Sequence, residues 1–222
     1  MDAMKHCDNV KSSCQFCLEI DKDPSSVYFT LAKDCPPDRT IFRNGSFRVI
    51  PPLGQFVEGS VMIVTEEHVP SCADLTENKL EELDRLIGIT VRLLTSVYEP
   101  PVIFEHGPSA SENKGTCCVD HAHIHAFPVD VDVRSALRSD FREIEICDLK
   151  EIRGIQRASG GYLFLQQEGL RFVYPCDFVP SQYIRQVIAE DLGVPERWHW
   201  RSYLGLEELK LTYDKLVSAD WR

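Results

Sequence analysis

No apolar run in this chain approaches the ~20 residues that a helix needs to cross a bilayer, so a helical membrane protein is not expected. The opening stretch MDAMKHCDNVKSSC holds no apolar signal core. Cytosolic residence is the resulting expectation. Basic charge is also short: 24 Lys and Arg stand against 35 Asp and Glu, for a net charge of −11. Phosphate backbones reward cationic excess, which argues against an extended nucleic-acid interface and leaves room for a single nucleotide held by local donors. There is no internal repeat, no low-complexity segment and no long linker. At 222 residues with 43% hydrophobic content, one substantial core is expected, with room for an appended subdomain.

Histidine is scarce, with seven in the chain, yet three share one short segment. CVDHAHIHAFP, residues 118–128, places His121, His123 and His125 at alternate positions, with Ala122, Ile124 and Ala126 between them. Alternation with period two is the strand pattern. The small apolar face suits close packing on a core. The opposite face presents three imidazoles, and imidazole offers three chemistries: metal ligand, proton shuttle and nucleophile. A lone histidine is usually a surface or satisfied core residue, but three in register are not explained that way.

Cysteine, by contrast, is abundant. The nine are odd in number and irregular in spacing, and no secretion signal precedes them, so a disulfide framework is not expected. Cys14 and Cys17 form the pair CQFC. No strand pattern precedes it, which favours metal binding over a redox pair.

Along the chain, TIFRNGSFRVIPP reads as a hairpin around Asn44-Gly45. GSVMIVTEEH is a third strand over 59–68. Residues 76–99 form a long amphipathic helix with Thr76 as N-cap and a buried stripe of Leu80, Leu83, Leu86, Ile87, Val91 and Leu94. PVIFEHG is a fourth strand, SASENKG a polar loop and VDHAHIHAFP a fifth strand. Together these predict an α+β core with an antiparallel sheet of about five strands and one main helix, spanning residues 1–130. Residues 131–222 read as a C-terminal α/β extension packed on that core. In it DVRSALRSDF is a helix, a hairpin turns at Glu168-Gly169, a helix runs from an N-cap at Ser181 to Gly193, and a last helix covers 204–217. Trp198 and Trp200 read as packing residues that fasten this tail.

In this order the pieces resemble the histidine-triad (HIT-like) superfamily. HAHIHAF resembles its His-x-His-x-His-x-x signature. CQFC resembles the start of its zinc-containing members. GSVMIVTEEHVPSCADL resembles its strand-then-histidine segment before the main helix. The resemblance covers roughly residues 14–130, and PSQYIRQVIAEDLGVPERWHWR resembles the tails of larger bacterial members.

What the resemblance implies is hydrolase or transferase chemistry at a nucleotide α-phosphate. His123 is then the nucleophile that forms a nucleotidyl-histidine intermediate. Its other ring nitrogen is expected on a backbone carbonyl, and His125 donates to a phosphate oxygen or the leaving group. His121 joins Cys14, Cys17 and His68 in a closed structural zinc site. Two other readings compete: a zinc-stabilised nucleotide sensor or adaptor whose catalysis has decayed, and a three-histidine metallohydrolase.

The chain also departs from the family. Where related enzymes carry a phosphate-binding serine before the triplet, this chain has Cys118, a weaker donor, which shifts phosphate contact toward Thr116 or backbone N–H groups. The family's Asn-x-Gly appears as Glu105-His106-Gly107, so Glu105 is expected to orient an imidazole or act as acid or base. Ile50 and Leu53 are candidates for a base sandwich. In the tail, Gln182 and Arg185 lie on the first turns of a helix, where an anion is favoured. Family cores pair as homodimers through the strand and helix that lead into the triplet. The extension is expected to leave that pairing and to wrap the site.

Overall fold

The computed structural model describes residues 13–107 and 121–222. Strands β1 (Phe42–Arg43), β2 (Phe47–Ile50), β3 (Val61–Thr65), β4 (Pro101–His106) and β5 (His123–Pro128) build the first part of the sheet. Strands β6 (Ile144–Glu145), β7 (Tyr162–Gln167) and β8 (Leu170–Pro175) continue it. The result is one eight-stranded sheet in the order β1-β2-β3-β5-β4-β7-β8-β6. Every described pairing is antiparallel. The α+β architecture and its antiparallel sheet are therefore as the sequence implied, but three further strands belong to the same sheet.

The extension enters through β7, whose Leu163 and Phe164 lie opposite His106 and Glu105. β4 is thus paired on both edges within the chain. The route by which the resemblance has two copies pair through this strand is filled by β7. The remaining edges, β1 and β6, are two residues long, too short to template a further strand.

Seven helices join the strands among the described residues: α1 (Gln15–Ile20), α2 (Val27–Leu31), α3 (Glu77–Val97), α4 (Val133–Asp140), α5 (Ile152–Ser159), α6 (Tyr183–Asp191) and α7 (Leu206–Leu216). α3 starts after Thr76 as expected, and it buries Leu80, Leu83, Leu86, Ile87, Thr90 and Leu94. Thr90 takes the place expected of Val91. The 3.6-residue period brings it under Leu83 and Ile87, and its hydroxyl is satisfied by donating to the Leu86 carbonyl at 2.8 Å. α3 packs on the face of the sheet that carries Ala122, Ile124 and Ala126, each 1% exposed or less. Their small side chains let helix and strand approach closely. The opposite face carries a second core around Phe104, Phe127, Leu163, Leu165 and Ile188, where α6 packs.

The hairpin at Glu168-Gly169 forms with both residues at positive φ, 54° and 79°. The α6 boundary differs from expectation. Ser181 does not cap it; Gln182 stands at the N-cap in a left-handed conformation, φ 61°, and the helix begins at Tyr183. Among the described residues, no helix is long and apolar enough to cross a membrane.

Candidate functional site

β5 is a central strand, between β3 and β4. Its alternation sends the three histidines to one face, where each meets a different environment.

His121 comes first. α1 begins directly after Cys14, so the CQFC pair sits on the first turn of a short helix. That helix carries both thiols to His121 and to His68, which follows β3. Cys14 Sγ lies 3.4 Å from His121 Nδ1, Cys17 Sγ 3.6 Å from the same atom, and Cys17 Sγ 3.3 Å from His68 Nδ1. One ligand atom from each of the four residues falls within 4.8 Å of the others. These four can hold one metal ion. The other ring nitrogen of His121, Nε2, donates to the Thr65 carbonyl at 2.8 Å, which leaves the Nδ1 lone pair for the metal. The sequence missed the helix but not the cluster.

His123 is next. Its Nδ1 lies 2.7 Å from the His121 carbonyl. A carbonyl only accepts, so Nδ1 carries the proton and Nε2 keeps its lone pair. The expected backbone carbonyl partner is therefore present, and it belongs to the metal-binding residue two positions earlier. Burial lowers the His123 pKa, against the raising effect of that hydrogen bond.

His125 stacks on Phe104, with ring centroids 4.8 Å apart and planes 15° apart. Its Nδ1 is buried and has no hydrogen-bond partner. Burial holds its pKa well below the usual range, helped by the fields of His123 and Arg185.

His123 and His125 open onto a cleft that holds about 1000 Å³ of empty space, open solvent included. Leu53, Gln182 and Arg185 also line it, as the sequence suggested. Ile50 does not. It is 1% exposed and packs with Phe16, Met62 and Val64 beside the two cysteines, because its strand position faces the α1 side rather than the opening. Thr116 and Cys118 lie outside the described residues.

Glu105 is placed differently from expectation. It is 2% exposed and points to the α3 side of the sheet. There its carboxyl accepts from the Tyr162 hydroxyl at 2.5 Å and from the Cys72 backbone N–H at 2.9 Å. Adjacent strand residues face opposite sides, so the cleft position falls to His106 instead. His106 shares the parity of Phe104, and that parity was the missed signal. Burial lowers its pKa to about 4, with a further contribution from His123. Phe16 was missed as well. Its ring lies 5.4 Å from that of His121 and 5.3 Å from that of His123, closing the space between the metal ligands and the cleft.

Burial raises the Glu105 pKa from 4.5 to about 7, against the lowering effect of its hydrogen bonds. Between those values the folded chain holds a proton that the unfolded chain has released. The stabilising contribution is thus full below about pH 4.5 and is lost as pH rises through 7, by roughly 3 kcal/mol. Glu105→Gln should flatten the fall in melting temperature over this window. An undiminished fall in the variant would place its cause elsewhere.

Fold and site together define a histidine-triad-like protein. Residues 2–142 match the family described as "Protein similar to CwfJ C-terminal", and the chain belongs to that family. It is also 26% identical over 131 residues to an arginine–tRNA ligase of Methanosphaera stadtmanae, matching 58% of this chain but only 22% of that protein. Among solved structures it is similar to a hypothetical histidine triad nucleotide-binding protein of Sulfolobus tokodaii strain 7, at 16% identity and a TM-score of 0.33. That match covers 41% of this chain and 60% of the other. A Hit-like protein of Bartonella henselae, involved in cell-cycle regulation, matches at 12% identity and a TM-score of 0.35, covering 48% of this chain and 76% of the other. Yeast Ap4A phosphorylase Apa2 matches at 14% identity and a TM-score of 0.41, over 80% of this chain and 79% of that one.

Proposed function

We propose that this protein is a nucleotide hydrolase or nucleotidyltransferase that works through a covalent nucleotidyl-histidine on His123. The observation that carries the reading is the 2.7 Å contact from His123 Nδ1 to the His121 carbonyl. It selects the tautomer whose Nε2 lone pair is free, on a residue that lines the cleft. Nε2 attacks the α-phosphorus, a P–N bond forms, and the bond to the leaving group breaks with its electron pair. Water or another acceptor then attacks phosphorus and releases the histidine as neutral imidazole. His125 is assigned to a phosphate oxygen or the leaving group. The nucleoside is assigned to the end of the cleft lined by Leu53, with Tyr28 and Pro52 beside it.

Zinc fits the Cys14, Cys17, His68 and His121 set. Zn–S and Zn–N bonds of about 2.3 and 2.0–2.1 Å at tetrahedral angles separate sulfur from nitrogen by about 3.5 Å. The separations here are 3.3, 3.4 and 3.6 Å. Two thiolates and two imidazoles close the sphere, so the ion's contribution is to hold the fold and not to activate substrate. A catalytic three-histidine metal is disfavoured because His123 turns its Nδ1 to a carbonyl and His125 stacks on Phe104.

The test is a panel of nucleotide conjugates with release of nucleoside monophosphate as the readout. Turnover of at least one conjugate is expected. Binding without turnover across the panel would replace the enzyme with the sensor or adaptor reading.

Assembly follows from the sheet. With β4 paired on both edges and the cleft walled by one chain, we expect a monomer in place of the strand-paired homodimer. Light scattering at micromolar concentration should give about 25 kDa, the mass of one chain. A mass of twice that would restore the dimer through another surface.

A further inference from the structure

Arg185 is a buried cation that the mechanism above does not use. It is 4% exposed. Its Nε donates to the Trp198 carbonyl at 3.0 Å and its Nη2 to the Gly54 carbonyl at 2.5 Å. Its guanidinium lies over the rings of Phe56 and Phe127, 5.0 and 5.5 Å from their centroids. No carboxylate pairs with it among the described residues. Burial alone brings its pKa down to about 9. An unpaired buried charge costs several kcal/mol, and two carbonyls and two aromatic faces offset only part of that. The other buried arginines near the cleft are balanced: Arg39 by Glu19 at 2.7 Å, and Arg48 by Glu66 at 2.6 Å.

Two further unpaired groups sit beside it. Gln182, one turn earlier, uses its Oε1 on the Trp200 N–H at 3.3 Å, while its Nε2 is buried without a partner. His125 Nδ1 is also buried without a partner, and His125 feels the field of Arg185. All three residues line the cleft.

Position along β5 separates this group from the nucleophile. Arg185 lies over Phe127, four residues beyond His123, or roughly 13 Å at ~3.3 Å per residue. His125 stands between them. An anion gripped at Arg185 is therefore past His125 from the attacked phosphorus.

We infer that Arg185, Gln182 and His125 form a second anion subsite, built largely by the C-terminal extension, for a phosphate-type leaving group. Its place in turnover rests on the nucleotidyl-histidine reading; its ability to bind an anion does not. In the reaction, the P–O bond to the leaving phosphate breaks as the P–N bond to His123 forms. The electron pair goes to the bridging oxygen, and the departing anion is held against the guanidinium. Water then releases the nucleoside monophosphate and a proton to solvent. The substrate class is a nucleotide with at least one phosphate beyond the α-phosphate, in preference to one whose leaving group is a neutral amine or alcohol.

The experiment is calorimetric titration of the full chain with inorganic pyrophosphate. Wild type and His123→Ala should bind with affinities within about threefold of each other. Arg185→Gln should bind roughly tenfold to a hundredfold more weakly, the range for losing a hydrogen bond to a charged group, and Arg185→Lys should recover part of the loss. Because Arg185 is buried, Gln182→Glu provides a second variant. It keeps the Oε1 that Trp200 uses and puts a carboxylate oxygen where the unpaired donor stood, so pyrophosphate binding should fall at least tenfold. Undetectable binding by wild type at millimolar pyrophosphate, or wild-type affinity in both Arg185→Gln and Gln182→Glu, would overturn the subsite. In turnover, Arg185→Gln should lower kcat/KM at least tenfold more for a nucleoside triphosphate than for a nucleoside phosphoramidate of a neutral amine. Equal losses would overturn the assignment to the leaving group. Failure to turn over any nucleotide would strike the catalytic reading, and the pyrophosphate titration would still decide the subsite.

Discussion

His123→Ala should lose at least about a thousandfold in turnover while the chain stays folded and keeps its metal. The nucleophile in this account is a single nitrogen, and alanine removes it without any substitute. Water at the same position lacks both the imidazole's nucleophilicity and its fixed orientation. The fold should survive for a structural reason. The His123 side chain faces the cleft, while its neighbours Ala122 and Ile124 make the packing contacts with the α3 side. The metal should survive because His121 binds it through Nδ1 and is oriented by Thr65, neither of which depends on the His123 ring. Metal content and near-ultraviolet circular dichroism, read beside turnover, separate this outcome from simple unfolding. Turnover near wild type would remove His123 from the mechanism. Loss of the metal together with turnover would instead revive a catalytic metal held by the triplet.

Cys17→Ser should lower the melting temperature by on the order of 10 °C and release the metal, and chelation of the wild type should do the same. Cys17 Sγ is the atom that faces both imidazoles, 3.3 Å from His68 Nδ1 and 3.6 Å from His121 Nδ1. Those two histidines follow β3 and precede β5, and the thiols lie on α1. One ion thus joins three segments that are far apart in sequence, and its binding free energy becomes folding free energy. Activity should fall as well, because the residue that holds the metal also supplies the carbonyl that fixes the His123 tautomer. A metal-free preparation that melts at the wild-type temperature would contradict this, and Cys14 and Cys17 would be ordinary thiols.

The triplet was legible because a period-two pattern on a strand needs no tertiary information. Three imidazoles share a face wherever that strand sits. The metal cluster was legible only through the ordered resemblance, since nothing local to His68 or Cys14 shows that they meet. Other features depended on non-local pairing. β7 joins β4 through a register that no local pattern encodes, so the extension read as an appended unit when it is the other half of one sheet. Glu105 was chosen by its place in a motif, while strand parity gives the cleft to His106 and turns Glu105 toward Tyr162. Ile50 and Leu53 looked equivalent as apolar neighbours of a Pro-Pro turn, and only packing sends one to the core and the other to the cleft. α1 escaped because a six-residue helix held by two metal ligands shows little amphipathic period of its own.

The most direct measurement is the intact mass of the protein after brief incubation with a nucleoside triphosphate, rapid acid-free quenching and peptide mapping. The account predicts an added nucleoside monophosphate on His123 in the wild type and none in His123→Ala. Turnover that proceeds with no adduct at any time, or an adduct on another residue, would contradict it.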